Sequence, residues 1–411
     1  MKTKVVGILV VTLLIGPLVS QVSACTGFTY DDENNVFAAC NNDCGLFDFN
    51  LRFFPSETDK NGMVFFDIAE VQPDGTILRA PYAGLNDQGC WFSVYGTPNL
   101  KPVNSIDKPI FTNSECYYKD PTCALAEYSM SKSSNIFESI DIIDDYNLED
   151  WSYFQIFMAD KNGDSAIIEG DDIIYKEGDF QVVSNFLQSH PDLGGGANAF
   201  VRYDTAVSML ENMSEPSVEY FRGILDATQL GGTVYSMVCD LDNLIIYLYY
   251  LHDYEKQVVI DVDEELQKGE HQIYVGSLFE PEDNQAPLKP DAPTGEASGE
   301  AGVDYEFRGK KTNDPDGDRT MYLFDWGDGT DSDWITPLMT GTFKATHNWT
   351  ERGTYDIRIK GKDVYGRESD WSDPLTVTMP KNKPYVNTPF IDFLENHPKL
   401  FPLLRQLLGL Q

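Results

Sequence analysis

Cys25 stands directly after Val22-Ser23-Ala24, the small-residue end of an apolar leader. If the leader is removed at that point, Cys25 becomes the first residue of the mature chain. One residue then carries both a thiol nucleophile and a free α-amine. The thiol can attack an amide carbonyl while the amine takes up the proton. The reference range of an α-amine, about 7.7 to 8.0, makes a neutral proton acceptor feasible near neutral pH.

The leader, residues 1–24, has the three parts of a secretory signal. Lys2 and Lys4 give a short positive start, and Val5 to Val19 is an almost unbroken apolar run. That run is shorter than the roughly 20 residues that span a bilayer. Val22-Ser23-Ala24-Cys25 also resembles a lipoprotein signal, in which the cysteine is lipidated on sulfur and acylated on its amine. Such modification would remove both reacting groups, and the leader alone leaves the two fates open.

The 411-residue chain carries a formal net charge of −36 and is expected to fold as two or three domains. Its hydrophobic content of 42% and aromatic content of 13% suffice for packed cores. So acidic a chain is a poor partner for nucleic acid, because phosphate contacts need Lys and Arg. The charge favours solubility and is compatible with a salty medium. Seven cysteines are present: Cys25, Cys40, Cys44, Cys90, Cys116, Cys123 and Cys239. Six remain beside Cys25, so disulfides are expected in an exported protein. Cys116 and Cys123 could close a small loop, and Cys40 could pair with Cys44 or Cys90. No C-x-x-C or paired histidines support a zinc site.

The elements that must position Cys25 begin at once. Gly27 to Tyr30 and Val36 to Ala39 read as a hairpin about the polar turn 31–35, which ties the chain start into a sheet. Asn41 and Asp43 stand just past its second strand. Gly84-Leu85-Asn86-Asp87-Gln88-Gly89 is a turn before the strand Cys90 to Tyr95. Phe154 to Ala159 and Ser165 to Glu169 form another hairpin, and Val182 to Phe186 ends a strand at Asn185. Phe200 to Asn212 and Val218 to Thr228 have helical spacing. Thr233 to Cys239 and Leu244 to Tyr250 form a further hairpin, with Thr233 and Ser236 read as strand fillers. Mainly strands with helices between them imply a layered α+β architecture.

Cys25-Thr26-Gly27, Asn41-x-Asp43, Gly84 to Gly89, Val183-Ser184-Asn185, Arg202-Tyr203 and Thr233-Val234-Tyr235-Ser236 occur in one order. With Glu264-Glu265-Leu266 and the closing Gly276 to Phe279, this order resembles the N-terminal-nucleophile linear-amide C–N hydrolases. That superfamily includes choloylglycine hydrolases, penicillin V acylases and isopenicillin-N acyltransferase-like proteins. The resemblance covers residues 25–282 and implies a four-layer αββα sandwich with the nucleophile opening a central strand. It implies catalytic roles for Cys25 as nucleophile, Asp43 beside the α-amine, Asn185 in the oxyanion hole and Arg202 in support of the nucleophile. It implies no cofactor for catalysis and a small N-acyl amide substrate. Family members often carry arginine where Cys40 stands, and their second asparagine falls near Gly96 and Asn99 without a clean match.

Residues 283–293, rich in Pro, Asp and Glu, read as a linker. Beyond it lie short alternating strands and frequent turns, the pattern of a small all-β, Ig-like sandwich. Asp314-Pro-Asp-Gly-Asp, Asp325-Trp-Gly-Asp-Gly, His347-x-Trp349 and Gly353-Thr-Tyr355 resemble the PKD-type domain, assigned to residues 294–380. This implies an extracellular spacing or adhesion module. Asp314, Asp316 and Asp318 could hold a structural calcium, since hard cations take clustered oxygens, or form a solvated turn. The apolar tail, residues 381–411, is interrupted by prolines and could dock on the protein, a partner or the envelope surface.

The expectation is therefore a secreted or cell-surface cysteine-nucleophile amidohydrolase with a PKD-type module. Its alternatives are an acyltransferase using the same nucleophile and an inactive surface lipoprotein with Cys25 lipidated.

Overall fold

The computed structural model describes residues 25–43, 49–71, 77–97, 107–112, 116, 121–148, 154–338 and 340–379. The leader, Cys44, Asn99 and the C-terminal tail lie outside the described residues. The chain divides into two compact units: residues 1–284 with Val364–Arg367, and Gln285–Asp363 with residues 368–411. Among the described residues, both units are mostly β-sheet and the helices lie in the first.

The first unit opens with β1 (Thr26–Asp31), β2 (Val36–Asn42), β3 (Phe49–Phe54), β4 (Met63–Val71), β5 (Ile77–Asn86) and β6 (Trp91–Gly96). Helices α1 (Pro121–Lys132) and α2 (Ile136–Asp144) follow, then β7 (Phe154–Ala159), β8 (Ser165–Glu169), β9 (Asp172–Tyr175) and β10 (Phe180–Ser184). Next come α3 (Ala199–Glu211), α4 (Val218–Thr228), β11 (Tyr235–Asp240), β12 (Ile245–Tyr250), β13 (Asp253–Asp261), α5 (Val262–Leu266) and β14 (His271–Tyr274). The strands make a six-stranded sheet, β10-β1-β2-β11-β12-β13, and an eight-stranded sheet, β14-β3-β4-β5-β6-β7-β8-β9. All named pairings are antiparallel.

Each sheet packs a helix pair on one face. Ser217 caps α4 by accepting from Tyr220 N at 3.2 Å, and Phe221, Ile224, Leu225 and Thr228 form its buried stripe. Phe221 meets Phe28, Tyr30 and Phe37 of the β1–β2 hairpin at 5.1 to 5.6 Å between ring centroids. Asn135 caps α2 in the same way, and Ile136, Ile140 and Ile143 bury against Met63, Phe65 and Phe92. The opposite faces of the sheets meet each other. Tyr235 of β11 stacks on Phe66 and meets Phe49 edge-on at centroid distances of 4.8 and 4.9 Å. Thr29 Oγ1 lies 3.0 Å from Ser165 Oγ across that layer.

The second unit contains β15 (Asp304–Lys310), β16 (Thr320–Asp325), β17 (Thr342–Asn348), β18 (Thr354–Asp363) and β19 (Leu375–Thr378). They form a two-stranded sheet, β15-β17, and a three-stranded sheet, β16-β18-β19. Phe307, Tyr322, Phe324, Trp326, Phe343, Trp349, Ile357 and Ile359 fill the core between them. His347 stacks on Trp326 at 4.7 Å and approaches Asp328 at 2.8 Å, which orders the Asp325-Trp-Gly-Asp-Gly turn.

Of the two pairings open to Cys40, the one with Cys90 does not form. Both residues are buried thiols; Cys40 lies in the six-stranded sheet and Cys90 just before β6 of the other. Cys116 Sγ points to the Ala124 carbonyl at 3.7 Å, while the side chain of Cys123 lies outside the described residues. Among the described residues, no helix is long and apolar enough to cross a membrane.

Candidate active site

Cys25 sits at the entry to β1, which lies between the edge strand β10 and β2 in the six-stranded sheet, and is only 1% exposed. The β1–β2 register sets Thr26 opposite Asn41 and Gly27 opposite Cys40. Side chains alternate across a strand. Cys40 faces the eight-stranded sheet, where Ser93 and Tyr95 stand, while Asn41 faces α4. Asn41 Nδ2 donates to the Leu225 carbonyl at 2.9 Å, and its Oδ1 accepts from Ser236 Oγ at 2.6 Å. Asn41 is therefore a structural joint between β2, β11 and α4. Asp43, two residues on, lies past the strand end and turns into the site.

Arg202 gathers the cluster. It comes from the first turn of α3 and is 4% exposed, buried although long charged side chains usually stay at the surface. Nη1 donates to the Cys25 carbonyl at 2.8 Å and to Thr26 Oγ1, and Nε donates to the Ala197 carbonyl at 3.2 Å. Nη2 donates to Asn185 Oδ1 at 2.7 Å. Because a guanidinium only donates, this contact sets the Asn185 amide with its oxygen toward Arg202. Asn185 Nδ2 then donates to the Gly96 carbonyl at 2.8 Å, which links the end of β10 to the end of β6. Asp43 Oδ2 lies 3.8 Å from Arg202 Nη1.

Burial pushes the Asp43 carboxyl up to about 7, against the opposing pull of Thr233 and Arg202. The same burial lowers the Arg202 guanidinium below its ordinary range, while Asp43 and Cys25 pull it back. Burial holds the Cys40 thiol firmly protonated. The structure thus brings Cys25, Asp43, Asn185 and Arg202 together from four separated segments.

Three further residues, Thr233, Ser236 and Tyr95, were given no such role from sequence. Thr233 donates its hydroxyl to Asp43 Oδ1, so it is not a mere strand filler. Ser236 likewise has a defined task in the Asn41 joint. Tyr95 of β6 reaches over Gly27 and stands beside Cys25, Cys40 and Asp43. A threonine and a tyrosine in strand-forming runs carry no local signal of such roles. The glycine of Cys-Thr-Gly does hint at a close approach.

The motif Gly84 to Gly89 is structural. Asn86 Nδ2 donates to the carbonyls of Met130 and Ser133, each at 2.9 Å, and its Oδ1 accepts from Cys90 N at 2.8 Å. In the second unit, Asp314, Asp316 and Asp318 each place a carboxylate oxygen within 4.8 Å of the others. Asp314 Oδ1 accepts from the backbone of Asp316 and Asp318, and both Asp316 oxygens accept from Gln285.

Residues 284–379 match the family model of the PKD domain. Among solved structures, the PKD domain of an M14-like peptidase from Thermoplasmatales archaeon SCGC AB-540-F20 is 40% identical, with a TM-score of 0.22. That match covers 24% of this chain and 99% of the other. A putative membrane anchored protein from Corynebacterium diphtheriae is 8% identical with a TM-score of 0.18, over 89% of this chain and 60% of its own. No curated protein matches. Through residues 284–379, the chain belongs to the PKD-domain family.

Proposed function

We propose that the protein is an exported amidohydrolase that cleaves a linear carbon–nitrogen amide of an N-acyl substrate, with Cys25 as N-terminal nucleophile. One observation carries this reading. The main chain and side chains around residue 25 converge with Asp43, Asn185 and Arg202 in a single buried hydrogen-bonded cluster. Two facing sheets with a helix pair on each outer face support the four-layer αββα N-terminal-nucleophile architecture.

In the mature protein the Cys25 α-amine takes the thiol proton, and the thiolate attacks the acyl carbonyl. Asn185 is the candidate donor to the oxyanion, its Nδ2 exchanging the Gly96 carbonyl for that oxygen, a contribution of about 3 to 4 kcal/mol for such a donor. Collapse gives a thioester, and the leaving amine takes the proton held by the α-amine. Water then releases the acid. A second amine in place of water would make the protein an acyltransferase. Arg202 holds the Cys25 carbonyl and Asn185 in register, and Asp43 faces the α-amine.

Cys25 stands at the entry to β1 with its carbonyl held by Arg202, and this place in the cluster favours use as a nucleophile over a lipid anchor. The PKD domain is proposed as the module that holds the enzyme in an extracellular or cell-surface setting. The test is hydrolysis of a panel of N-acyl amides by the purified mature protein, with Cys25→Ala and Cys25→Ser in parallel. Loss of turnover in Cys25→Ala is expected, and unchanged turnover would overturn the reading. Intact mass of the mature protein separates a bare Cys25 terminus from a lipidated one.

A further inference from the structure

We propose that Thr233 is a positioning residue for the reaction, acting through Asp43, and this inference rests on the function proposed above. Thr233 is 2% exposed and precedes β11. Its Oγ1 accepts the backbone N–H of Leu230 at 3.0 Å. With that lone-pair direction taken, the hydroxyl hydrogen is directed to Asp43 Oδ1. A carboxylate has two oxygens, and the two here have different surroundings. Oδ1 is held by Thr233. Oδ2 is buried, accepts no hydrogen bond among the described residues and lies 3.8 Å from Arg202 Nη1.

The consequence is orientation. A carboxyl free to rotate about its last bond would present either oxygen to the nucleophile. Thr233 commits one oxygen, so the other is left for the group that leader removal creates at residue 25, an α-amine. The backbone supports the assignment: Val234 N donates to the Asn42 carbonyl at 2.8 Å, which locks residue 233 beside residue 43. The ionisable groups around Asp43 are Arg202 from α3, Cys25 before β1, Cys40 from β2, Tyr95 from β6 and Tyr254 from β13. Burial raises the two tyrosines and Cys40, so they stay neutral over the working range. The Thr233 hydroxyl is the neutral donor that favours the charged carboxylate.

The experiment uses mature protein and follows alkylation of Cys25 by iodoacetamide across pH, read by mass spectrometry. Thr233→Val keeps the shape and removes the donor. Loss of the donor raises the Asp43 carboxyl, so the part of the reactivity profile that follows Asp43 ionisation is expected to move to higher pH by about half a unit or more, the worth of one hydrogen bond to a carboxylate. Thr233→Ser restores the hydroxyl and is expected to follow the parent. An unshifted profile in Thr233→Val, or an equal shift in Thr233→Ser, would overturn the proposal. Thr233→Ala removes the same donor with less bulk and replaces the valine variant if that does not fold. Failure of both to fold, beside a folded Thr233→Ser, would assign the hydroxyl to stability and also overturn the positioning role. Intact mass taken before alkylation distinguishes a blocked or lipidated Cys25, which would remove the underlying reading and this inference with it.

Discussion

Tyr95 of the eight-stranded sheet lies directly over Gly27 of the six-stranded sheet. A Cβ on Gly27 would stand 1.9 Å from the phenol oxygen and 2.8 Å from Cζ. The glycine two residues after Cys25 is thus a contact requirement, and the conformational freedom of glycine is not at issue. Gly27→Ala is expected to destabilise the fold by about 1–3 kcal/mol, the range for overpacking. The penalty should shrink in a Tyr95→Phe background, which a double-mutant cycle by urea denaturation would measure. Equal penalties in both backgrounds would contradict the contact.

Arg202 should not tolerate lysine. Its planar fork serves the Cys25 carbonyl, Thr26 and Asn185 together, and an ammonium on a flexible stem cannot span them. Arg202→Lys is expected to lower stability by about 3 kcal/mol, because buried acceptors and Asp43 lose their partner. Amide turnover should fall with it. Wild-type stability and turnover in Arg202→Lys would refute the bridging role.

Asp43 sets a pH dependence. In the full-length chain burial pushes its carboxyl up to about 7, above its unfolded range. The folded state then holds the proton more tightly than the unfolded state. Its contribution to stability is fully present below about pH 4 and is lost as pH rises through about 7. Asp43→Asn removes that loss, so the variant should gain on the order of 4 kcal/mol on the parent between pH 4 and pH 8. Parallel stability–pH curves from chemical denaturation would contradict this. Activity, by contrast, should fall in the variant.

Cys40 occupies a buried place against Ser93 and Tyr95, with its thiol held protonated. Cys40→Ala should lose about 1 kcal/mol and leave the proposed amide turnover unchanged. Cys40→Arg would force an unpaired charge into the same space and should fail to fold or lose several kcal/mol. Thermal melts of the two variants test the contrast.

Sequence patterns located the β1–β2, β7–β8 and β11–β12 hairpins and helices α3 and α4. Those segments have polar turns, a clear period or a buried helical stripe. Strands β3, β4 and β5 and helices α1 and α2 were not legible. Phe49–Phe54 and Met63–Val71 are near-continuous apolar or aromatic runs without clean alternation, because Phe49, Phe53, Phe65 and Phe66 are buried on one face or the other. Helix α1 lacks a marked apolar stripe. In the site, Cys25 was legible from the leader, and Asp43, Asn185 and Arg202 from a resemblance in motif order. The Arg202–Cys25 contact spans 177 residues and leaves no local trace. Thr233 stayed hidden for the same reason, since its partner lies 190 residues upstream.

The grip of Arg202 falls on the main-chain oxygen of residue 25, so it is indifferent to which side chain stands there. Exchange of the sulfur for oxygen or hydrogen should therefore leave the surrounding frame in place. A Cys25→Ser or Cys25→Ala protein is accordingly suited to capture an uncleaved amide for crystallography. Electron density for a captured amide would then identify the acyl group of the proposed substrate.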